Sequence, residues 1–157
     1  MLQKNNIHLL IYLAVALVLT GCSRKVVYSH YEPTPIDGWE KNDTLSFTVV
    51  PIRHEGMYLE EVGLRTSGIY PFTGLTLIVE QRATPSGMMR SDTLHARLID
   101  RDGSVQGKGI SYFQYNFHLA NLRLQANDTL HVSIRHNMKR EILPGISDIG
   151  ISLERIE

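Results

Sequence analysis

The sequence predicts an all-β protein: a single antiparallel β-sandwich, jelly-roll-like, behind an N-terminal signal peptide and a short tether. Three observations lead there. In the body of the chain, apolar residues recur at every second position rather than every third or fourth. The alternating runs are short and are separated by clusters rich in Gly, Pro, Asn and Asp. No long amphipathic helical pattern interrupts them, and 157 residues suffice for one domain with a real core but not comfortably for two.

The first 21 residues read as a signal peptide. Lys4 precedes an apolar run over 9–19. As a helix, that run covers about 16 Å, roughly half of a bilayer core. It is therefore too short to span and well sized for a secretory signal. Leu19-Thr20-Gly21-Cys22 follows at once, the pattern of a bacterial lipobox with cleavage between Gly21 and Cys22. Small residues let the peptidase reach the backbone. The Cys22 thiol receives a diacylglyceryl group and the freed amine an acyl chain such as palmitate. Cys22 is the only cysteine, so no intramolecular disulfide can form. Ser23 follows Cys22, and the next residues are basic rather than acidic. That favours a lipid-anchored protein on the outer membrane, facing the periplasm. Residues 22–36, with Pro33 and Pro35, read as the lipidated tether, and 37–157 as the sandwich domain.

The strands follow in order. Leu45, Phe47 and Val49 share one face, as do Leu75, Leu77 and Val79. Leu94, Ala96 and Leu98 form a third set. Phe113, Tyr115, Phe117 and Leu119 form a fourth, then Leu130, Val132 and Ile134, and finally Ile149, Ile151 and Leu153. One helical segment of about two turns is expected over 136–142, stopped by Pro144-Gly145. The phrase Asn/Ser-Asp-Thr-Leu occurs three times, from Asn42, Ser91 and Asn127. It reads as strand-entry chemistry, because short polar side chains bond nearby backbone and Thr opens a strand. The unequal intervals argue against a tandem repeat.

Composition excludes several function classes. The formal net charge is 0, and no basic patch points to nucleic acid. His95 and His131 occupy equivalent slots after Asp-Thr-Leu, which suggests facing positions on neighbouring strands. They lack the further ligands that zinc needs, and the expectation is two solvated surface residues and no metal. Asp100-Arg101-Asp102-Gly103 resembles a calcium loop, but the first and last ligand positions fall on Leu98 and Gly109, which offer no side-chain oxygen. Gly107-Lys108-Gly109 lacks the spacing of a phosphate loop. Glu60-Glu61 are adjacent in a strand and so point to opposite faces. No nucleophile elbow is present, so the expectation is a non-enzyme without catalytic residues or cofactor. Tyr70-Pro71-Phe72 lies in a loop and is the candidate exposed contact cluster. The remaining aromatics, Trp39, Tyr112, Phe113 and Tyr115, read mostly as core.

Several phrases then occur in a characteristic order. Gly38-Trp39 precedes Asp43-Thr44, and Ser67-Gly68-Ile69-Tyr70-Pro71-Phe72 follows. Gly107-Lys108-Gly109 stands before an aromatic strand, and Leu143-Pro144-Gly145-Ile146-Ser147-Asp148-Ile149-Gly150 closes the chain. In this order and spacing the sequence resembles the GldH-type gliding-motility lipoproteins of the Bacteroidota. The resemblance covers essentially the whole chain and implies an envelope lipoprotein associated with gliding machinery. It carries over only Cys22 with a chemical role. The leading expectation is a tethered interaction domain contacting other envelope proteins. The alternative is a carbohydrate-binding envelope lipoprotein with a glycan-binding face.

Overall fold

The computed structural model describes residues 25–156. The expected signal peptide, its expected cleavage site and Cys22 lie outside them. Eight strands build two facing antiparallel sheets. Sheet A has the order β1 (Lys25–Pro33), β10 (Ile146–Arg155), β4 (Gly56–Ser67) and β7 (Tyr112–Leu124). Sheet B has the order β3 (Leu45–Val49), β8 (Thr129–His136), β5 (Gly74–Thr84) and β6 (Met89–Arg97). Two short strands, β2 (Trp39–Glu40) and β9 (Ile142–Leu143), pair with each other outside the two sheets. This strand order is that of a jelly roll, two interleaved Greek keys.

Alternation builds the core as the sequence predicts. Leu75, Leu77 and Val79 of β5, and Leu130, Val132 and Ile134 of β8, face Val62 and Leu64 of β4 and Ile149, Ile151 and Leu153 of β10. The registers also fix the two ends of the sandwich. Lys25 pairs with Arg155 at the proximal end, where 50–55, 85–88 and 125–128 turn. Pro33 pairs with Asp148 at the distal end, which carries 34–44, 68–73, 98–111 and 137–145.

Trp39 closes the distal end from inside. It is fully buried, and its indole N–H donates to the Asp43 carbonyl at 3.1 Å. Its ring meets that of buried His136 edge-on at 5.2 Å between centroids. His136 Nε2–H donates to the Trp39 carbonyl (3.1 Å), and Nδ1 accepts from the Met138 N–H (3.4 Å). Both nitrogens are thus used by one neutral tautomer. Burial pushes the His136 pKa down, against the opposing pull of the Trp39 carbonyl.

Three expectations are corrected. Most of the predicted tether over 22–36 is not a linker, because 25–33 form β1, paired along its length with β10. Its pattern is blurred by a bulge between Val26 and Tyr28 and by its place at a sheet edge, where a terminal proline costs no ladder bond. The predicted helix over 136–142 is absent. His136 ends a strand, and the following amides bond across the fold: Asn137 N–H to the Thr76 carbonyl at 2.8 Å, Met138 N–H to His136. Leu119 is the extra residue of a bulge but still packs against the core, as Phe117 does. Beyond it Ala120, Leu122 and Leu124 take the inward positions. Of the three Asp-Thr-Leu phrases, those at 43 and 128 lead from a turn into a strand, but Asp92 lies inside β6.

On the outer face of sheet A, Tyr31 lies across a row of two glycines. Tyr31 pairs with Gly150, which pairs with Gly63. A Cβ at Gly63 would collide with the Tyr31 ring and hydroxyl, and one at Gly150 would come within 2.7 Å of the ring. The Arg65 guanidinium stands 4.0 Å from the centroid of the same ring, a cation–π contact. Gly63→Ala is expected to destabilise by about 1 kcal/mol by displacing this ring. In a Tyr31→Ala background the same change should be neutral or stabilising, since Ala suits a strand better than Gly. Thermal unfolding of the four proteins in this double-mutant cycle reads the coupling.

Candidate functional site

The distal end is where the loops meet. Gly145 has φ +81°, and a Cβ there would lie 2.6 Å from the Tyr70 amide nitrogen. Only glycine fits so close a crossing. The Ser67 N–H donates to the Gly145 carbonyl (2.8 Å), and the Lys41 N–H to the Glu141 carbonyl (2.8 Å). These bonds gather 34–44, 68–73 and 137–145 into one surface.

Within it, the predicted contact cluster is mixed in character. Pro71 is exposed, while Tyr70 and Phe72 are half-buried and pack against the core. Their rings meet edge-on at 5.6 Å, and the Tyr70 hydroxyl donates to the Gly74 carbonyl at 2.9 Å. Burial pushes the Tyr70 phenol pKa up. The exposed apolar surface comes instead from neighbours. Ile36 and Ile110 are essentially fully exposed, Ile69 and Tyr112 largely so, and Ile142 partly. No periodic pattern could have singled these out, because they lie in loops or at strand ends.

His95 and His131 lie on the outer face of sheet B, but β5 runs between their strands. His131 pairs opposite Arg82 and His95 opposite Thr76, six positions apart along β5, about 20 Å at ~3.3 Å per residue. They do not share a site. Each hydrogen-bonds a neighbouring threonine at 3.3 Å, His131 with Thr48 and His95 with Thr76. Among the described residues no group of three or more His, Cys, Asp or Glu is placed to hold a metal. Asp102 serves its own turn, accepting the Ser104 hydroxyl (2.7 Å) and N–H (3.0 Å). These bonds, the hydroxyl first, hold its pKa below the usual carboxylate range. Lys108 exchanges backbone hydrogen bonds with Gln114, so this loop lies along the free edge of β7.

A shallow groove of about 620 Å³ crosses sheet B, lined by Ser46, Thr48, Glu80, Arg82, His131 and Ser133 among others. Phe47 also borders it but is 2 % exposed, so no Phe, Tyr or Trp ring presents a stacking face there. Tyr31 and Tyr112, the outward rings of sheet A, stand on its opposite edge strands and form no row.

One buried polar chain was not anticipated. Glu60 and Glu61 do point to opposite faces, but Glu60 occupies an inward position between Tyr58 and Val62 and is fully buried. A charged residue at an inward position of an alternating strand was the available signal. Gln81 Nε2–H bridges the Glu60 carboxyl (3.0 Å) and the Asp92 carboxylate (3.2 Å), and Arg90 pairs with Asp92 at the surface (Nη2 to Oδ1, 2.9 Å). Among the described residues, Glu60 Oε1 and Gln81 Oε1 have no hydrogen-bond partner. Burial pushes the Glu60 pKa up to about 7, against the Gln81 hydrogen bond. At the proximal end Asp128 is 1 % exposed and accepts the N–H groups of Gln125 (2.9 Å) and Ser86 (3.0 Å). Burial alone raises its pKa, but these bonds outweigh it and the net direction is down.

A sequence profile described as "GldH lipoprotein" matches residues 26–153. The chain belongs to the GldH lipoprotein family. It is a lipoprotein of the cell envelope in a family associated with gliding. It is 28 % identical over 152 residues to the gliding motility lipoprotein GldH of Flavobacterium johnsoniae, covering 92 % of this chain and 94 % of the relative. Similar solved structures include a family 35 carbohydrate-binding module from Clostridium thermocellum, with TM-score 0.40, 12 % identity, and coverage of 79 % of this chain and 87 % of that one. A family GH115 4-O-methyl-α-glucuronidase gives TM-score 0.44 and 11 % identity, with 87 % of this chain matched to 18 % of the enzyme.

Two pH effects of opposite sign follow. Glu60 has a folded pKa above its unfolded 4.5, so its contribution to stability is complete below 4.5 and is lost as pH rises through about 7. Glu60→Gln should therefore gain up to about 3 kcal/mol on the wild type between pH 4 and pH 8, read by denaturant unfolding at each pH. Asp128 has a folded pKa below its unfolded 3.8, so its contribution is present above 3.8 and lost as pH falls through the folded value. Asp128→Ala should cost about 2 kcal/mol at pH 7, by stranding two backbone N–H groups, and correspondingly less in acid.

Proposed function

We propose that this protein is a non-enzymatic interaction component of an envelope complex associated with gliding, anchored through acylated Cys22, with its distal end meeting partner proteins. The carrying observation is an asymmetry of the sandwich. The chain enters and leaves at the proximal end, beside Lys25 and Arg155, while Ile36, Ile69, Ile110 and Tyr112 are exposed at the other. Exposed apolar side chains gathered at the end turned away from the anchor are what a protein-binding surface needs. Anchoring adds local concentration, so that weak contacts suffice. Family membership and the name of the Flavobacterium relative support the gliding association. Ser23 after Cys22 supports the outer membrane, and the basic rather than acidic residues that follow support a periplasmic orientation.

The test is a crosslinking pull-down of tagged protein from native membranes, beside Cys22→Ala and Ile36→Asp/Ile110→Asp variants. Envelope proteins of the gliding or secretion apparatus should be recovered with the wild type and lost with both variants. Recovery of no protein, together with retention of the protein on peptidoglycan or polysaccharide, would overturn this reading in favour of a glycan-binding lipoprotein.

A further inference from the structure

We infer that the proximal end of the sandwich rests directly on the lipid surface, with Val26, Val27, Val50 and Ile156 at headgroup level. This rests on the lipid anchor proposed above and adds where the domain sits and which way it points. Three observations meet at this end.

The first is chain length. β1 begins at Lys25, three residues after Cys22. Three residues span at most about 10 Å. The strand leaves that point already paired with β10, so slack cannot be drawn from it. A lipid on Cys22 therefore holds the proximal end within reach of the headgroups.

The second is the surface itself. Val26, Val27, Val50 and Ile156 are 41–64 % exposed, although they flank a folded core. Val27 and Val50 line a cleft of about 470 Å³ together with Val49, Pro51, Ile52 and Tyr58, and Arg53, His54 and Arg155 line it too. Apolar side chains beside long cationic ones suit the membrane interface, where the stems lie in the apolar layer and the charges stay at headgroup level.

The third is charge. Among the described residues of this end, Lys25, Arg53, Arg123 and Arg155 stand against Glu55, Asp128 and Glu154, and Arg123 pairs with Glu55 at 3.4 Å. The balance is close to neutral. Apolar contact rather than anionic lipid then supplies the affinity, and salt has little effect. The consequence for function is height and direction. Strands of 10–13 residues carry the distal loops roughly 30–40 Å above the surface at ~3.3 Å per residue.

The test uses the acylated mature protein in vesicles of phosphatidylethanolamine and phosphatidylglycerol. Acylation consumes the Cys22 thiol, so an introduced cysteine is the only free one. Spin labels are attached at Val50→Cys and, as reference, at Ile110→Cys, and their collision with oxygen and with a water-soluble nickel complex is measured. The expected result is at least five-fold lower nickel access at 50 than at 110, unchanged by raised salt or by omitting the anionic lipid. Equal access at both sites, with mass spectrometry showing the acyl chains in place, overturns the seating while leaving the anchor intact. A mass without acyl chains overturns both. Protection at 50 that grows with the protein-to-lipid ratio assigns the surface to a second copy of the chain and overturns the lipid assignment.

Discussion

The pairing of β1 with β10 is the constraint on which the rest of this fold depends. β10 supplies Ile149, Ile151 and Leu153 to the core and would be a bare edge without β1 beside it. The same ladder places the first described residue and the last strand's end at one pole. It also delivers the chain to the other pole in a fixed position. There Thr34 binds the Ile146 carbonyl through its hydroxyl (2.7 Å) and the Ser147 carbonyl through its N–H (3.0 Å), which aims 34–44 across the top of the sandwich. Trp39 is inserted from that segment. The distal closure is thus a consequence of how the edge strand begins.

The closure explains why a largely buried end can still present apolar side chains. Trp39, His136 and Leu143 fill the space between the sheets, and the backbone above them is held by cross-loop backbone bonds together with the Thr34 hydroxyl and the Trp39 indole. Ile36, Ile69 and Ile142 are left over from the core and point outward. Stability and exposure are separated: the inner layer carries the fold, and the outer layer is free to change without opening it.

Where alternation is strict, the sequence is readable. Leu75, Leu77 and Val79, or Leu130, Val132 and Ile134, announce both strand and inward face. It fails where a long-range partner decides. Residues 25–33 look like a linker because a bulge breaks their period, and what orders them is a strand more than 110 residues away. Residues 136–142 have a passable helical composition, yet their amides are bonded by Thr76 and by His136 itself. Asp92 is written like a turn exit but sits inside an edge strand, where it holds Arg90 and Gln81. The order of family phrases was legible because each phrase is local, whereas the exposed isoleucines of the distal end carry no periodic signature at all.

The loop over 98–111 has a consequence beyond its own turns. By exchanging backbone hydrogen bonds with Gln114, Lys108 occupies donor and acceptor positions at the upper edge of β7. Lower down, that edge strand shows Asn116, His118 and Arg123. An open edge invites another strand, and the hazard grows when copies are confined to the plane of a membrane. A short clamp above and polar side chains below make β7 a poor template, so crowding of this envelope lipoprotein need not lead to edge-to-edge aggregation.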